Sequence, residues 1–211
     1  PTSALDKTSK LYIGGRQVRP DSGYSRGVAA YDGSLIGTVG EGNRKDIRNA
    51  VEAAHSASKW GSASAHHRAQ VLYFLAENLE VRSDEFSQRL EMLTGANGDL
   101  QVKESINRLF FYAGWCDKYE GAVHQPPLGR VVFAVPEPVG VMGLICPERD
   151  SLLGLISLIA PAIALGNTVI TIPSESGALV ATDFYQILET SDIPEGVVNI
   201  ITGSRPNLAS E

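Results

Sequence analysis

Two kinds of apolar run alternate between residues 139 and 201. Segments 139–146, Thr168–Ile172 and 197–201 are short, rich in β-branched residues, and bounded by glycine, proline or polar turns. Segments 152–165 and 177–190 are long enough for helices. A strand that passes through a helix to another strand returns to the same sheet as a parallel neighbour, almost always by a right-handed crossover. Strands covered on both faces read as nearly continuous hydrocarbon, as these do. Residues 139–211 are therefore expected to form a βαβαβ unit, an α/β fold with a Rossmann-type parallel sheet. In such a sheet ligands gather beyond the carboxyl ends of the strands. The chain stops ten residues after segment 197–201. A sheet ended there is expected to leave an unpaired edge, as in a piece of a longer protein.

Residues 1–123 read differently. "KLYIGGRQV" (10–18) predicts two short strands around a Gly-Gly turn, "DSGYSRG" a loop, and residues 35–39 another strand. Helices follow. Asn43 is placed to cap one over 44–60, with Ile47, Val51, Ala54 and Ala57 on one face. A second spans 65–81 with Leu72, Leu75 and Leu79 inward. Ser83 would cap a third, carrying Phe86, Leu90 and Leu93 and stopped by Gly95. A fourth over 98–120 carries Val102, Ile106, Leu109, Ala113 and Cys116, with Gly121 after it, and the aromatics of 109–115 are expected to pack inward. Between this N-terminal helical region and the βαβαβ unit lies the proline-broken stretch 124–138. Pro136 and Pro138 cannot donate to a ladder, so the stretch reads as an arm or an edge, with a strand run over 130–135.

Charge narrows the partners. The net charge is −6 with a pI near 5.3 and no Lys/Arg run, which argues against nucleic acid and anionic membrane. Run 152–165 is broken by Gly154 and Pro161 and is shorter than the ~20 residues of a membrane span. The polar start "PTSALDKTSK" does not resemble a secretory leader. The two cysteines, Cys116 and Cys146, sit in apolar segments, so a reducing compartment, the cytoplasm, is expected.

The turn after segment 139–146 reads "CPERDSLLG" and lacks the G-x-G-x-x-G phosphate fingerprint. Glu148 and Asp150 are expected to cap the following helix and would repel a pyrophosphate there. Cys146, at a strand's carboxyl end, could be a nucleophile only with a cation and a base at hand. Arg149 is near but no histidine is, so a buried structural thiol is expected, and likewise for Cys116. His55, His66, His67 and His124 show no metal-ligand spacing, and no metal site is expected.

The motifs "FFYAGWCDKYEG", "PEPVGVMGLICP", "ALGNTVITIPSES" and "IPEGVVNIITG", in this order, resemble the aldehyde dehydrogenase superfamily. The chain is most similar to the second, non-catalytic module of aldehyde dehydrogenase family 16. The resemblance implies an NAD(P)-binding domain of Rossmann type, a catalytic domain with a cysteine nucleophile, and a β-arm for oligomerisation. It covers the cofactor half and the start of the arm, and it puts the nucleophile and general base beyond Glu211. Active relatives read Pro-Trp-Asn-Phe-Pro where residues 147–151 read Pro-Glu-Arg-Asp-Ser. Arg149 thus stands at the oxyanion-hole asparagine, whose loss typically costs ~10²–10³ in rate. The family's Lys-Pro-Ser-Glu ribose motif reads Ile-Pro-Ser-Glu, so Glu175 remains while Ile172 replaces the lysine. A lost charge-assisted bond is worth about 1.5–3 kcal/mol. Pro147, Ile172 and Glu175 are the expected remains of a cofactor site, with NAD binding weakened or lost.

The resulting expectation is a non-catalytic module with a structural or oligomerisation role, joined to a second copy or a partner aldehyde dehydrogenase domain through arm 124–138. The alternatives are the cofactor half of an active NAD-dependent enzyme that oxidises aldehydes to carboxylic acids, and a regulatory domain binding a mononucleotide.

Overall fold

A Gly-Gly pair opens the architecture. In the computed structural model, which describes residues 9–209, β1 (Leu11–Ile13) and β2 (Arg16–Val18) form a hairpin. Its turn holds Gly14 and Gly15 at φ of 61° and 75°, the double left-handed geometry that matches strand twist. The first eight residues of the polar start lie outside the described range. Next come β3 (Ser25–Ala29) and β4 (Leu35–Gly40), an antiparallel pair of their own. β3 falls where a loop is expected, because its glycine and serine hide a strand whose only buried side chain is Val28.

The helices α1 (Arg44–Ser56), α2 (Ala65–Val81), α3 (Ser83–Thr94) and α4 (Asp99–Ala113) follow. Asn43 caps α1 as expected, and the cap is reciprocal: its side chain accepts from the Lys45 and Asp46 amides, while Asp46 accepts from the Asn43 amide. α1 stops at Ser56, short of residue 60, and a 3₁₀ turn over Ser58–Ser62 buries Trp60. Ser83 does not cap α3. It lies inside the first turn, Arg82 holds the N-cap position, and Arg82 pairs with Glu85. Gly95 ends α3 in the left-handed conformation, as expected. α4 ends at Ala113, well before residue 120, and the chain continues through turns to Lys118. The aromatic run divides there: Leu109 is buried, but Phe111 and Trp115 are 54% and 44% exposed.

A small separate hairpin, β5 (Ala122–His124) with β6 (Val132–Ala134), stands out with every residue exposed. The βαβαβ unit then runs β7 (Val141–Ile145), α5 (Ser151–Ala164), β8 (Thr168–Ile172), α6 (Ala178–Glu189) and β9 (Val198–Ile200), before a last turn of helix, α7 (Arg205–Leu208). β7, β8 and β9 are parallel neighbours, and the sheet order is β2-β1-β9-β8-β7. This overturns the expected bare edge at β9: β1 pairs with it antiparallel, Tyr12 opposite Ile200.

The end of α5 shows how the strands are positioned. Its last four carbonyls all find donors. Asn167 N–H bonds the Ala162 carbonyl and Gly166 N–H that of Ile163, the Schellman pattern. Leu165 N–H bonds Pro161, the Trp60 indole bonds Ile163, and Arg68 bonds Ala164. Asn167 Oδ1 in turn accepts from Gly140 N–H at 3.0 Å and fixes the entry to β7.

The sheet lies between two apolar layers. Leu11, Ile13, Ile170, Ile172 and Ile201 pack with Ala50 and Ala54 of α1, whereas Tyr12, Val169 and Ile200 face the core made by α2 to α6. In that core Tyr12 and Tyr185 stack at 5.1 Å, and the Tyr185 hydroxyl is buried without a hydrogen-bond partner among the described residues. Burial pushes that phenol's pKa far up. Replacing Tyr185 with Phe removes an unsatisfied group and keeps the ring. The expected result is a gain of about 1–2 kcal/mol in unfolding free energy, measured by urea denaturation.

Candidate ligand crevice

The carboxyl ends of β7, β8 and β9 open side by side because the strands are parallel and in register. Cys146 N–H bonds the Ile172 carbonyl at 2.9 Å and carries the ladder one step past β7. Beyond it lies an open crevice of about 650 Å³, walled by Ile145, Glu148, Glu175, Ser176, Arg205 and Pro206.

Its polar groups are engaged with one another. The Glu148 carboxylate accepts from the backbone N–H of Glu175 at 3.1 Å and of Ser176 at 3.4 Å, and from the Ser176 hydroxyl at 3.2 Å. Arg205 Nη1 pairs with it at 2.5 Å. Partial burial tends to raise the Glu148 pKa, but Arg205 and the two amides outweigh that and hold it below the usual carboxylate value. Glu175 is held from two sides. Arg26 Nη1 reaches its Oε2 at 3.0 Å, and the Arg205 backbone N–H donates to its Oε1 at 2.8 Å. Arg26 also places Nε 3.4 Å from Glu41, whose other oxygen accepts from Ser204 N–H at 2.7 Å. Strand β3 is thereby tied to all three strand-end loops.

Several expected roles change. Glu148 does not cap α5, and it pairs with Arg205 rather than with its neighbour Arg149. Asp150 occupies the N-cap position at φ 52° but makes no capping bond with its side chain. The cap comes from α4, where Gln101 Oε1 accepts from Leu152 N–H at 2.9 Å and Leu153 N–H at 3.4 Å. Before α6 the Ser174 hydroxyl accepts from Gly177 N–H. Arg149 is exposed and makes no hydrogen bond or ion pair among the described residues. Pro147 sits against Gly154, where a Cβ would meet its ring at 2.6 Å. Ile172 is 6% exposed and packs with Ile201 and Leu208 beneath the crevice.

Both thiols are structural. Cys146 is fully buried and its pKa is pushed up to about 12; Cys116 is 4% exposed and pushed up to about 11. Burial is the main cause in each, and neither supplies a thiolate near neutral pH. His66 and His67 lie exposed at the start of α2.

Two positions of this crevice differ from what the resemblance assigns to a dinucleotide's ribose. The carboxylate that the resemblance assigns to the ribose hydroxyls is engaged by Arg26 and by the Arg205 amide, and an apolar side chain stands in place of the lysine. Arg26, Gln101 and Arg205 carry the arrangement, and no sequence pattern marked any of them.

Comparison with known proteins places this geometry. The model of the aldehyde dehydrogenase family matches residues 18–211. An aldehyde dehydrogenase from Agaricus bisporus is 37% identical over 180 residues, which cover 82% of this chain and 36% of that protein. Human cytosolic 10-formyltetrahydrofolate dehydrogenase is 34% identical over 92% of this chain and 23% of its own length. Among solved structures, a variant of an aldehyde dehydrogenase from Bacillus cereus superposes with a TM-score of 0.92 at 26% identity, covering 98% of this chain and 44% of that one. The betaine aldehyde dehydrogenase of Staphylococcus aureus in complex with NAD+ gives 0.91 at 26% identity, covering 94% and 41%. The chain thus spans less than half the length of each of these relatives. With the family model matched over nearly the whole sequence, and the backbone superposing on an aldehyde dehydrogenase over 98% of this chain, the chain belongs to the aldehyde dehydrogenase family.

Proposed function

We propose that this chain is a non-catalytic aldehyde-dehydrogenase-like module with a structural role beside a partner domain. One observation carries the reading: the Glu175 carboxylate is satisfied by the chain's own Arg26 and by the Arg205 amide. Arg149, at the oxyanion-hole position, adds to it, since an exposed guanidinium on a long stem does not reproduce a fixed amide donor. The same holds for Ile172, which offers no polar atom. Residues 1–123 and 139–211 form the module and 124–138 its arm. The arm's exposed Val132 and Phe133, on strand β6 of a two-stranded hairpin, suit strand addition to a second copy or a partner aldehyde dehydrogenase domain. Among the described residues no helix is long and apolar enough to cross a membrane. Two buried, unpaired thiols suit the cytoplasm.

Calorimetric titration with NAD tests the reading. The expected result is no saturable binding in the micromolar range, and a micromolar dissociation constant at one site per chain overturns it. A second reading, the cofactor half of an active NAD-dependent aldehyde dehydrogenase, is favoured by the close superposition on an NAD-bound relative. Hydride transfer to NAD in the presence of aldehyde, followed by absorbance on the full-length protein, separates the two.

A further inference from the structure

We propose that Arg26 is the residue that decides whether the crevice accepts a dinucleotide, because it occupies the carboxylate a ribose would need. The inference deepens the reading above and rests on it.

Arg26 reaches the crevice from β3, an element outside the βαβαβ unit. Its fork contacts Glu175 twice, through Nη1 to Oε2 at 3.0 Å and Nη2 to the backbone carbonyl at 3.5 Å. Its Nε faces Glu41 at 3.4 Å. A ribose diol is neutral, and its bonds to a carboxylate are weaker than those from a guanidinium. To take the carboxylate, the sugar must also leave Arg26, whose side chain is only 28% exposed, with Glu41 as its remaining carboxylate. Both terms favour the closed ion pair. Arg205 reinforces it from the opposite side, since its backbone N–H holds the second Glu175 oxygen while its guanidinium holds Glu148.

Arg26 is not needed to hold β3 in place. The strand is paired with β4 over its whole length and anchored by buried Val28. Removing the guanidinium should therefore free Glu175 without dismantling the sheet. A matched control exists elsewhere. Arg89 pairs with Asp183 at 2.7 Å with nearly the same exposure, 28% and 30%, between α3 and α6 and away from the crevice.

The experiment is NAD titration, by calorimetry, of the wild-type chain, Arg26→Ala, Arg26→Gln and Arg89→Ala, with thermal unfolding of each. The glutamine variant keeps most of the side-chain packing should the alanine variant fold poorly. Both Arg26 variants are expected to bind NAD about three- to tenfold more tightly than wild type, the scale of a half-buried ion pair. Arg89→Ala should leave affinity unchanged. Equal or weaker binding by the Arg26 variants overturns the proposal. So does undetectable binding by wild type and both variants at millimolar nucleotide, since freeing Glu175 would then restore nothing. A micromolar wild-type affinity would instead overturn the non-catalytic reading, while the ratio between the proteins would still decide the role of Arg26.

Discussion

Asn199→Ala will lower the unfolding free energy by about 3–5 kcal/mol, the upper range for a single substitution. Asn199 is fully buried on β9, and its amide ties three pieces of backbone together. Nδ2 donates to the Val169 carbonyl at 3.1 Å and the Gly196 carbonyl at 2.8 Å, while Oδ1 accepts from Gly14 N–H at 2.9 Å. Alanine leaves the Gly14 N–H and the Gly196 carbonyl without their side-chain partner, each costing about 1–3 kcal/mol when unmet, and removes the second bond to the Val169 carbonyl. The loss falls where the β1–β2 turn is pinned to the parallel strands, so the seal over the β9 edge should loosen first. Urea denaturation gives the magnitude, and amide exchange at Tyr12 and Gly14 gives the location. Asn199→Asp keeps the acceptor but loses both donations and buries a charge, so it should be at least as costly. A loss below about 1 kcal/mol for alanine would mean that water replaces the amide.

The same residue shows what the sequence could and could not disclose. Thr168–Ile172 and Ala65–Val81 are legible to the residue, because a continuous β-branched run and a long apolar stripe are local signals. The Asn43 cap and the Gly95 stop are legible for the same reason. Asn199 reads as one polar letter in a strand, and nothing nearby predicts that Gly14 is its partner. The failures share this cause. Arg26 and Glu175 are 149 positions apart, and Glu148 and Arg205 are 57 apart. Glu148 and Asp150 look like helix caps by position, yet the cap comes from Gln101 on another helix, leaving Glu148 to the loop after β8. α4 stops at Ala113, although the favourable pattern runs on, because the chain there turns toward the β5–β6 hairpin. The resemblance pointed to Glu175 and Ile172, but it could not tell that the carboxylate was engaged by Arg26 and the Arg205 amide.

Two phenylalanines should then respond in opposite ways to the same change. Phe184 on α6 is fully buried in the core made by α2 to α6. Phe184→Ala removes its packing and leaves a cavity that rigid neighbours fill only in part, so it should cost about 3–5 kcal/mol. Phe133 on β6 is 68% exposed, and Val123, opposite it on β5, is exposed to the same extent. Within one chain its truncation removes almost no buried area, and unfolding free energy should change by less than about 0.5 kcal/mol. In the assembly role proposed above, this exposed aromatic would meet an external apolar partner. Under the assembly role proposed above, Phe133→Ala should weaken self-association or partner capture at least tenfold in sedimentation experiments while leaving the denaturation midpoint of the dissociated chain in place. Phe184→Ala should do the reverse, lowering the midpoint and altering association only through the unfolded fraction. If Phe133→Ala instead destabilises the isolated chain as much as Phe184→Ala does, the hairpin is folded onto the body in solution and is not an arm.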